Sequence, residues 1–461
     1  MMPMKSLRLH RLEPTQRRHP MAEVRSRLNE SPFGHPINSS ELRLMVHPVL
    51  DAVFHAFEES GVCWCLLRLP SNLGTPTGGD IDLLVSRTDL ELVRRVLETR
   101  GFAQLPAWSD STHSHFLSYH RPTDCWMWLD IVTELSFGPS YALQTRAEAG
   151  CLARRQRHGA VDTLDPDDAF WVLLLHCILD KRAIAPRHRA RLQELLAAVR
   201  TDGELGQAVE AVCPPGWTPT RMMGCVAQGD WPALERLACP LTRAWMRRDA
   251  IGVWRLLVQR GSRLVENFAH LRRRRGLSVA LVGPDGAGKS TLGMGLRSSF
   301  IFPVRLVYMG LTGGLLRHIA RLHLPGLVLL ARLSVLWCRY LMAQYHQLRG
   351  RLVVFDRYIY DAMVPHPDRL NWLRRTSRWV DGRSCPGPDL VLVLNAPGEV
   401  MYERKGEYNP EQLEDWRQHF LALQRCIPQV ETVDTAQAVD AARTEVIDRI
   451  WQRYVARWRK T

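Results

Sequence analysis

The chain reads as an α/β protein, with a C-terminal doubly wound parallel sheet carrying helices on both faces, preceded by an α+β domain and a helical connector. Three observations predict this. Leu277 to Val282 is a short apolar run that leads through closely spaced glycines into a segment suited to a helix. Leu352 to Phe355 and Pro388 to Leu394 are runs of the kind buried on both faces of a parallel sheet. Upstream, Asp80-Ile81-Asp82-Leu83 alternates carboxylate and apolar residue with the period of a strand, so both carboxylates share one face.

Composition sets the outer bounds. With 461 residues, 46% of them hydrophobic, the chain can bury a sizeable core and divide into two or three domains. Lys and Arg number 61 against 47 Asp and Glu, a formal charge of +14, which favours anionic partners: nucleotides, nucleic acid, anionic lipid or phosphorylated sugars. The first twenty residues carry charges and no apolar core, so a secretory signal is not expected. The apolar stretch from Leu324 to Ala331 is interrupted by Pro325 and closed by Arg332, short of the roughly 20 residues of a membrane span. A cytoplasmic protein is therefore expected. The eleven cysteines are scattered without a C-x-x-C pair, which supports neither zinc nor disulfides.

Residues 1–40, rich in Arg, His, Pro and Ser without periodicity, are expected to be a mobile tail. The next domain, 41–140, opens with a helix carrying Leu44, Val46, Val49, Leu50, Val53 and Phe57, which ends before Gly61. A strand over Val62 to Leu69, the Asp80/Asp82 strand, a helix over Leu90 to Thr99, and strands around Phe116 and over Trp126 to Val132 follow. The last of these carries Asp130. Three carboxylates on neighbouring strands suit a two-Mg²⁺ site; without metal chemistry the same residues would cap strand ends. Over residues 60–135 this pattern resembles the nucleotidyltransferase superfamily, in which a small glycine turn, an alternating pair of acids and a third acidic strand residue hold metal. The resemblance implies metal ligation by Asp80, Asp82 and Asp130, with Pro70-Ser71 displacing the expected Gly-Ser turn.

Residues 141–275 read as a helical connector. Asp165-Pro166-Asp167-Asp168 places a capping acid, a proline at the first helical position and acids in the first turn ahead of Trp171, Leu174, Leu175 and Ile178. His176 falls inside that apolar run and, with no partner expected at ligand spacing, reads as a core histidine rather than a metal ligand. Between Leu241 and Arg275, ten arginines face only Asp249 and Glu266, a net +8 (10 minus 2), among apolar residues including Trp245 and Trp254. This reads as an amphipathic interdomain helix with a solvated basic face; binding of nucleic acid or an anionic membrane surface is the other use of such a face. Arg272 to Arg275 mark the linker into the final domain, 276–461.

There, Gly283, Pro284, Asp285, Gly286, Ala287, Gly288, Lys289, Ser290 and Thr291 fill the G-x-x-x-x-G-K-[ST] pattern and run past it by one residue. Backbone N–H groups in such a loop converge on an anion, and the helix that follows adds its positive end. Lys289 then reaches terminal phosphates and the Ser290 hydroxyl reaches Mg²⁺. Further strands are expected at Val304 to Tyr308 and Leu352 to Phe355, the latter presenting Asp356 and Arg357 at its carboxyl end. A helical region from about Leu315 to Leu348 stops at Gly350, and Tyr402 to Tyr408 form a polar turn before a helix over Glu411 to Leu423.

In its motif order, GPDGAGKST, a strand ending in Asp356-Arg357-Tyr358, PDLVLVL and Glu403-Arg404-Lys405-Gly406-Glu407-Tyr408, the segment 276–456 is similar to the thymidylate kinase family. The resemblance implies ATP and Mg²⁺ bound by Lys289 and Ser290, Asp285 facing the acceptor, Asp356 and Arg357 serving metal and acceptor phosphate, and Arg404 as a lid arginine. The sequence departs from the family where VRLVYMGLT stands in place of an Arg-Glu-Pro-Gly turn, and where Ile359-Tyr360-Asp361-Ala362 replaces a glutamine-bearing segment. The expected activity is transfer of the ATP γ-phosphate to a small, phosphorylated acceptor, and a homodimer is compatible with it. A nucleotide-binding switch associated with nucleic acid, or nucleotidyl transfer by the N-terminal domain, are the alternatives.

Overall fold

The computed structural model describes residues 46–69, 72–75, 79–105, 113–138, 141–200, 203–248, 276–301, 303–310, 325–364 and 372–458. The expected tail, Pro70-Ser71, and the basic segment beyond Arg248, with the linker arginines, lie outside these residues.

The first sheet has seven strands in the order β3-β4-β5-β2-β1-β9-β8. In chain order they are β1 (Trp64–Leu66), β2 (Ile81–Val85), β3 (Ala103–Gln104), β4 (His113–His120), β5 (Cys125–Val132), β8 (Gln156–His158) and β9 (Val161–Thr163), with a separate hairpin of β6 (Ser136–Phe137) and β7 (Leu143–Gln144). Strand alternation divides the sheet's two faces. Ile81, Leu83, Val85, Met127, Leu129 and Ile131 meet Phe54, Phe57, Val93 and Leu97 from helices 48–59 and 90–99. Residues in the opposite phase, Leu84 among them, face the helical connector, while Leu117, Tyr119 and Trp128 pack on the C-terminal module.

Three expectations change here. The first strand shrinks to Trp64–Leu66, because Leu67 already belongs to the loop that brings Arg68 over the sheet. The boundary at 140 falls inside the sheet: β9 pairs in parallel with β1 and β8 with β9, so the strand region extends to Thr163, with the short helix Glu148–Arg154 ahead of these two strands and the main run of helices beginning at Pro166. His176 has a partner. It begins a π-helical stretch, His176–Lys181, and its Nδ1 lies 2.9 Å from Asp180 Oδ2, a contact that wide turns allow at i,i+4.

The helix Pro166–Leu175 starts as its sequence dictates, with the Asp165 carboxylate accepting from the Asp167 amide. Asp168 is fully buried and takes a bidentate pair from Arg154, Nε at 3.0 Å and Nη2 at 2.9 Å. Five helices between Pro166 and Arg248 then close over Trp171, Leu174, Leu205, Met222 and Leu234.

The C-terminal sheet is entirely parallel, β11-β12-β10-β13-β14, with β10 (Ser278–Val282), β11 (Val304–Tyr308), β12 (Leu352–Asp356), β13 (Leu390–Asn395) and β14 (Val430–Asp434). One face, with Val279, Leu281, Val354 and Leu392, packs on helices 289–299 and 439–458. The other, with Ala280, Val282, Val353 and Val391, meets helices 325–348 and 410–422. This is a mixed α/β architecture with a helix-flanked parallel sheet, of the kind expected for a P-loop fold.

Two further expectations change in this module. Tyr402 to Lys405 are helical, the last turn of Gly398–Lys405, which stops at Gly406 in the left-handed conformation with its amide bonded to the Tyr402 carbonyl. Arg332 does not end the apolar run: helix Pro325–Leu348 continues through it, and the guanidinium is absorbed by an ion pair with buried Asp381. That helix is long and apolar enough to cross a membrane by length and composition, with 11% of the relevant stretch buried. Core helices of soluble proteins that pass the same test are mostly buried, whereas this one exposes Leu327, Leu330, Trp337 and Leu341.

The two modules meet through the β4–β5 hairpin. Trp126 donates from Nε1 to the Ser299 carbonyl at 2.9 Å and packs its ring against Tyr119 and Phe300, both tilted, and edge-on to Trp451, at centroid distances of 4.8, 5.4 and 5.3 Å. Arg443 pairs with Asp124 and Arg121 with Glu445 across the same seam.

Candidate functional site

The loop after β10 lies where the strand order reverses, with β12 on one side of β10 and β13 on the other. Ligand sites of open parallel sheets form at such a switch point. Gly286 is at φ +87°, and a Cβ there would come within 2.4 Å of the Met401 carbonyl oxygen, so only glycine fits this turn. Gly288, at φ +96°, starts the helix Lys289–Ser299 and aims its N-terminus into the loop.

Lys289 is buried, and its ammonium donates to the carbonyl oxygens of Gly283 and Pro284, both at 2.7 Å. Burial lowers its proton affinity below the usual lysine range, with Asp361 the strongest opposing charge. Ser290 Oγ lies 3.2 Å from Asp356 Oδ2, because Asp356 sits opposite Leu281 in the parallel register of β10 and β12. A hydroxyl and a carboxylate in that relation are hard oxygen donors and fit a Mg²⁺ ion bound with phosphates.

Arg357 projects from the same strand end at φ +65°, a conformation uncommon and strained for a side chain of this size. Its amide donates to the Leu281 carbonyl at 3.2 Å, which ties it to the loop strand. Its Nη2 donates to Asp285 Oδ1 at 2.6 Å, and Nη1 lies 3.5 Å from Asp361 Oδ2. The Lys289 ammonium stands 3.6 Å from Asp285 Oδ1 and the Lys405 ammonium 3.8 Å from Asp285 Oδ2. Despite partial burial, Lys289, Arg357 and Lys405 together hold the Asp285 carboxyl below its usual range, whereas burial pushes the Asp361 carboxyl up to about 6.

The loop residues, Asp285, Lys289, Ser290, Asp356 and Arg357 are thus brought together. Arg404 is turned aside: its Nη2 donates to the Thr435 carbonyl at 2.8 Å, and the neighbouring Lys405 is the cation beside the loop. Two residues that sequence reasoning did not single out join the cluster, Lys405 and Asp361. The signal for Asp361 was its place four residues after Arg357, which a short 3-10 turn over Ile359–Ala362 folds back onto the guanidinium.

A second cluster sits on the first sheet. Asp82 and Asp130 are directly paired in the parallel register of β2 and β5, and the ligand oxygens of Asp80, Asp82 and Asp130 lie within 4.8 Å of one another. Burial pushes Asp82 up to about 6, against the opposing pull of Arg68, whose guanidinium is hydrogen-bonded to it. His113 Nδ1 is 2.9 Å from Asp130 Oδ2, and His115 Nδ1 is 3.4 Å from Asp130 Oδ1. Three convergent carboxylates are a fitting oxygen set for a divalent cation.

No family model matches this chain, and no curated protein matches it. Solved structures do. A thymidylate kinase from Candida albicans, described as having broad substrate specificity and a novel structural element, aligns over 39% of this chain and 93% of its own length. Identity is 21% and the TM-score 0.33, a coarse likeness to a kinase-like α/β fold at most.

Proposed function

We propose that the module 276–458 is an ATP-dependent phosphotransferase that moves the γ-phosphate of ATP to an acceptor bound beside Asp285 and Arg357. The observation that carries this reading is the position of Lys289 and Ser290 at the N-terminus of a helix, inside a loop closed by left-handed glycines, with Asp356 facing the serine hydroxyl. The N-terminus of the helix receives phosphate oxygens, and Lys289 exchanges its two carbonyl contacts for the charge of the terminal phosphates. Mg²⁺, held through Ser290 and Asp356, neutralises phosphate charge when bound. The protein's share of the chemistry is alignment and charge neutralisation.

The test is Lys289→Ala. Nucleotide-dependent phosphate transfer is expected to be abolished while the fold, read by circular dichroism and thermal unfolding, survives. ATP turnover equal to that of the wild type in a folded variant refutes the assignment.

A second reading rests on a different observation, the convergence of Asp80, Asp82 and Asp130: metal-dependent nucleotidyl transfer by the N-terminal domain. Calorimetric titration with Mn²⁺ in a Lys289→Ala background addresses it. Loss of a binding event in the Asp80→Asn, Asp82→Asn double variant supports a metal site, and an unchanged isotherm removes it.

A further inference from the structure

The charges around the acceptor side of the loop constrain what the acceptor is. A phosphomonoester carries close to two negative charges and is normally gripped by a guanidinium free to offer a two-pronged contact. Arg357 is the guanidinium placed for that task, and it is flanked by two carboxylates, Asp285 at 2.6 Å and Asp361 at 3.5 Å. Lys405 does not make up the difference, since its ammonium is 3.0 Å from Glu407 and 3.8 Å from Asp285. Lys289 belongs to the donor phosphates. An incoming phosphate would therefore meet two carboxylates at close range, and like charges so placed repel.

Asp361 also has an oxygen to spare. Its Oδ2 faces Arg357, while Oδ1 is shielded from solvent and has no hydrogen-bond partner among the described residues. A buried carboxylate oxygen without a donor is costly unless a ligand supplies one. Arg357 links Asp361 to Asp285, whose Oδ1 lies 3.6 Å from the Lys289 ammonium, so Asp361 borders the end of the loop where the terminal phosphate is received.

We propose, resting on the phosphotransferase reading above, that the acceptor presents a free hydroxyl and no phosphate to this cluster, and that Asp361 is its general base. The acceptor O–H donates to Asp361 and Arg357 fixes that carboxylate. As the acceptor oxygen forms its bond to the γ-phosphorus, its proton passes to Asp361. The bond from that phosphorus to the β,γ-bridging oxygen breaks, and its electron pair leaves with ADP.

The test uses the full chain with Mg²⁺ and the β,γ-imido analogue of ATP, and inorganic phosphate as the probe of a phosphate-binding acceptor site. In calorimetric titrations the wild type is expected to bind phosphate at least ten-fold more weakly than Asp361→Asn, in which Arg357 is partly released. Asp361→Glu, which keeps the charge, should behave as the wild type, and Asp285→Asn provides a second release of Arg357 should Asp361→Asn not fold. Equal or tighter phosphate binding by the wild type overturns the proposal. In parallel, transfer from γ-labelled ATP is followed with nucleosides, sugars and amino alcohols against the same compounds as monophosphates. Product from the hydroxyl compounds supports the proposal, and product from the monophosphates alone overturns it while leaving the phosphotransferase intact. Failure of the ATP analogue itself to bind is a separate result that removes the phosphotransferase reading and this inference with it.

Discussion

Replacing Asp361 by Asn should stabilise the protein at neutral pH and leave it unchanged in acid. Burial raises this carboxyl from 3.8 to about 6 in the folded chain, outweighing the pull of Lys289 and Arg357. At about 1.4 kcal/mol for each tenfold change in proton affinity, the ionised form is roughly 3 kcal/mol less compatible with the fold than the protonated one. The side chain remains 27% exposed, so solvent screening brings the figure to roughly 2 kcal/mol. The sign follows from linkage: a carboxyl whose proton affinity rises on folding contributes stability that is fully present below its unfolded value and is lost as pH rises through the folded one. For Asp361 that window runs from 3.8 to about 6. Asn mimics the protonated carboxyl at every pH, so the variant and the wild type should coincide near pH 4, separate across this window and differ by a constant amount above pH 6. Urea unfolding of the full chain at pH 4 to 8, followed by tryptophan fluorescence, reads this directly. A difference that does not vary with pH, or a variant less stable than the wild type at pH 8, refutes the reasoning.

Trp126→Ala should loosen the seam between the modules, since it removes the bond to the Ser299 carbonyl and three ring contacts. A loss of about 3 kcal/mol, the lower end for a partly buried tryptophan, is expected in the calorimetric unfolding of the coupled modules, and an unaltered thermogram contradicts it. Arg154→Ala strands the fully buried Asp168 and should cost about 3–5 kcal/mol in chemical denaturation at neutral pH. Adding Asp168→Asn should recover part of that loss, and a double variant no better than the single one argues against the buried charge as the cause.

The sequence by itself determined the local pieces. An apolar strand followed by Gly283, Gly286 and Gly288 has few alternatives to a tight strand-to-helix loop, since those glycines supply backbone angles that other residues avoid. The helix Leu90–Thr99, strand β11 and the cap at Asp165 were legible for the same local reason: periodicity and capping are properties of neighbouring residues. Asp80 and Asp82 could be placed on one face from alternation alone. What joins them to Asp130 is the parallel register of β2 with β5, a pairing across 48 positions of sequence (130 minus 82) that no window reveals.

Tertiary structure alone decided the rest. Strands β8 and β9 were missed because three-residue strands carry too little pattern, and they exist because β1 offers an edge to pair with. Arg332 appeared to close an apolar run; its charge is tolerated inside a long helix because Asp381, from another helix, neutralises it. Arg404 and Lys405 are adjacent in sequence, but the helical turn they share points one to the Thr435 carbonyl and the other to Asp285. The state of Arg357 is the clearest case. Its sequence neighbourhood marks a cation at a strand end, whereas the carboxylates that occupy it come from a loop 72 residues away and from a turn folded back by four residues. Electrostatic environment depends on distance in space, which local sequence does not encode, and for that reason the turn that carries Lys289 and Ser290 was readable in advance and the surroundings of Arg357 were not.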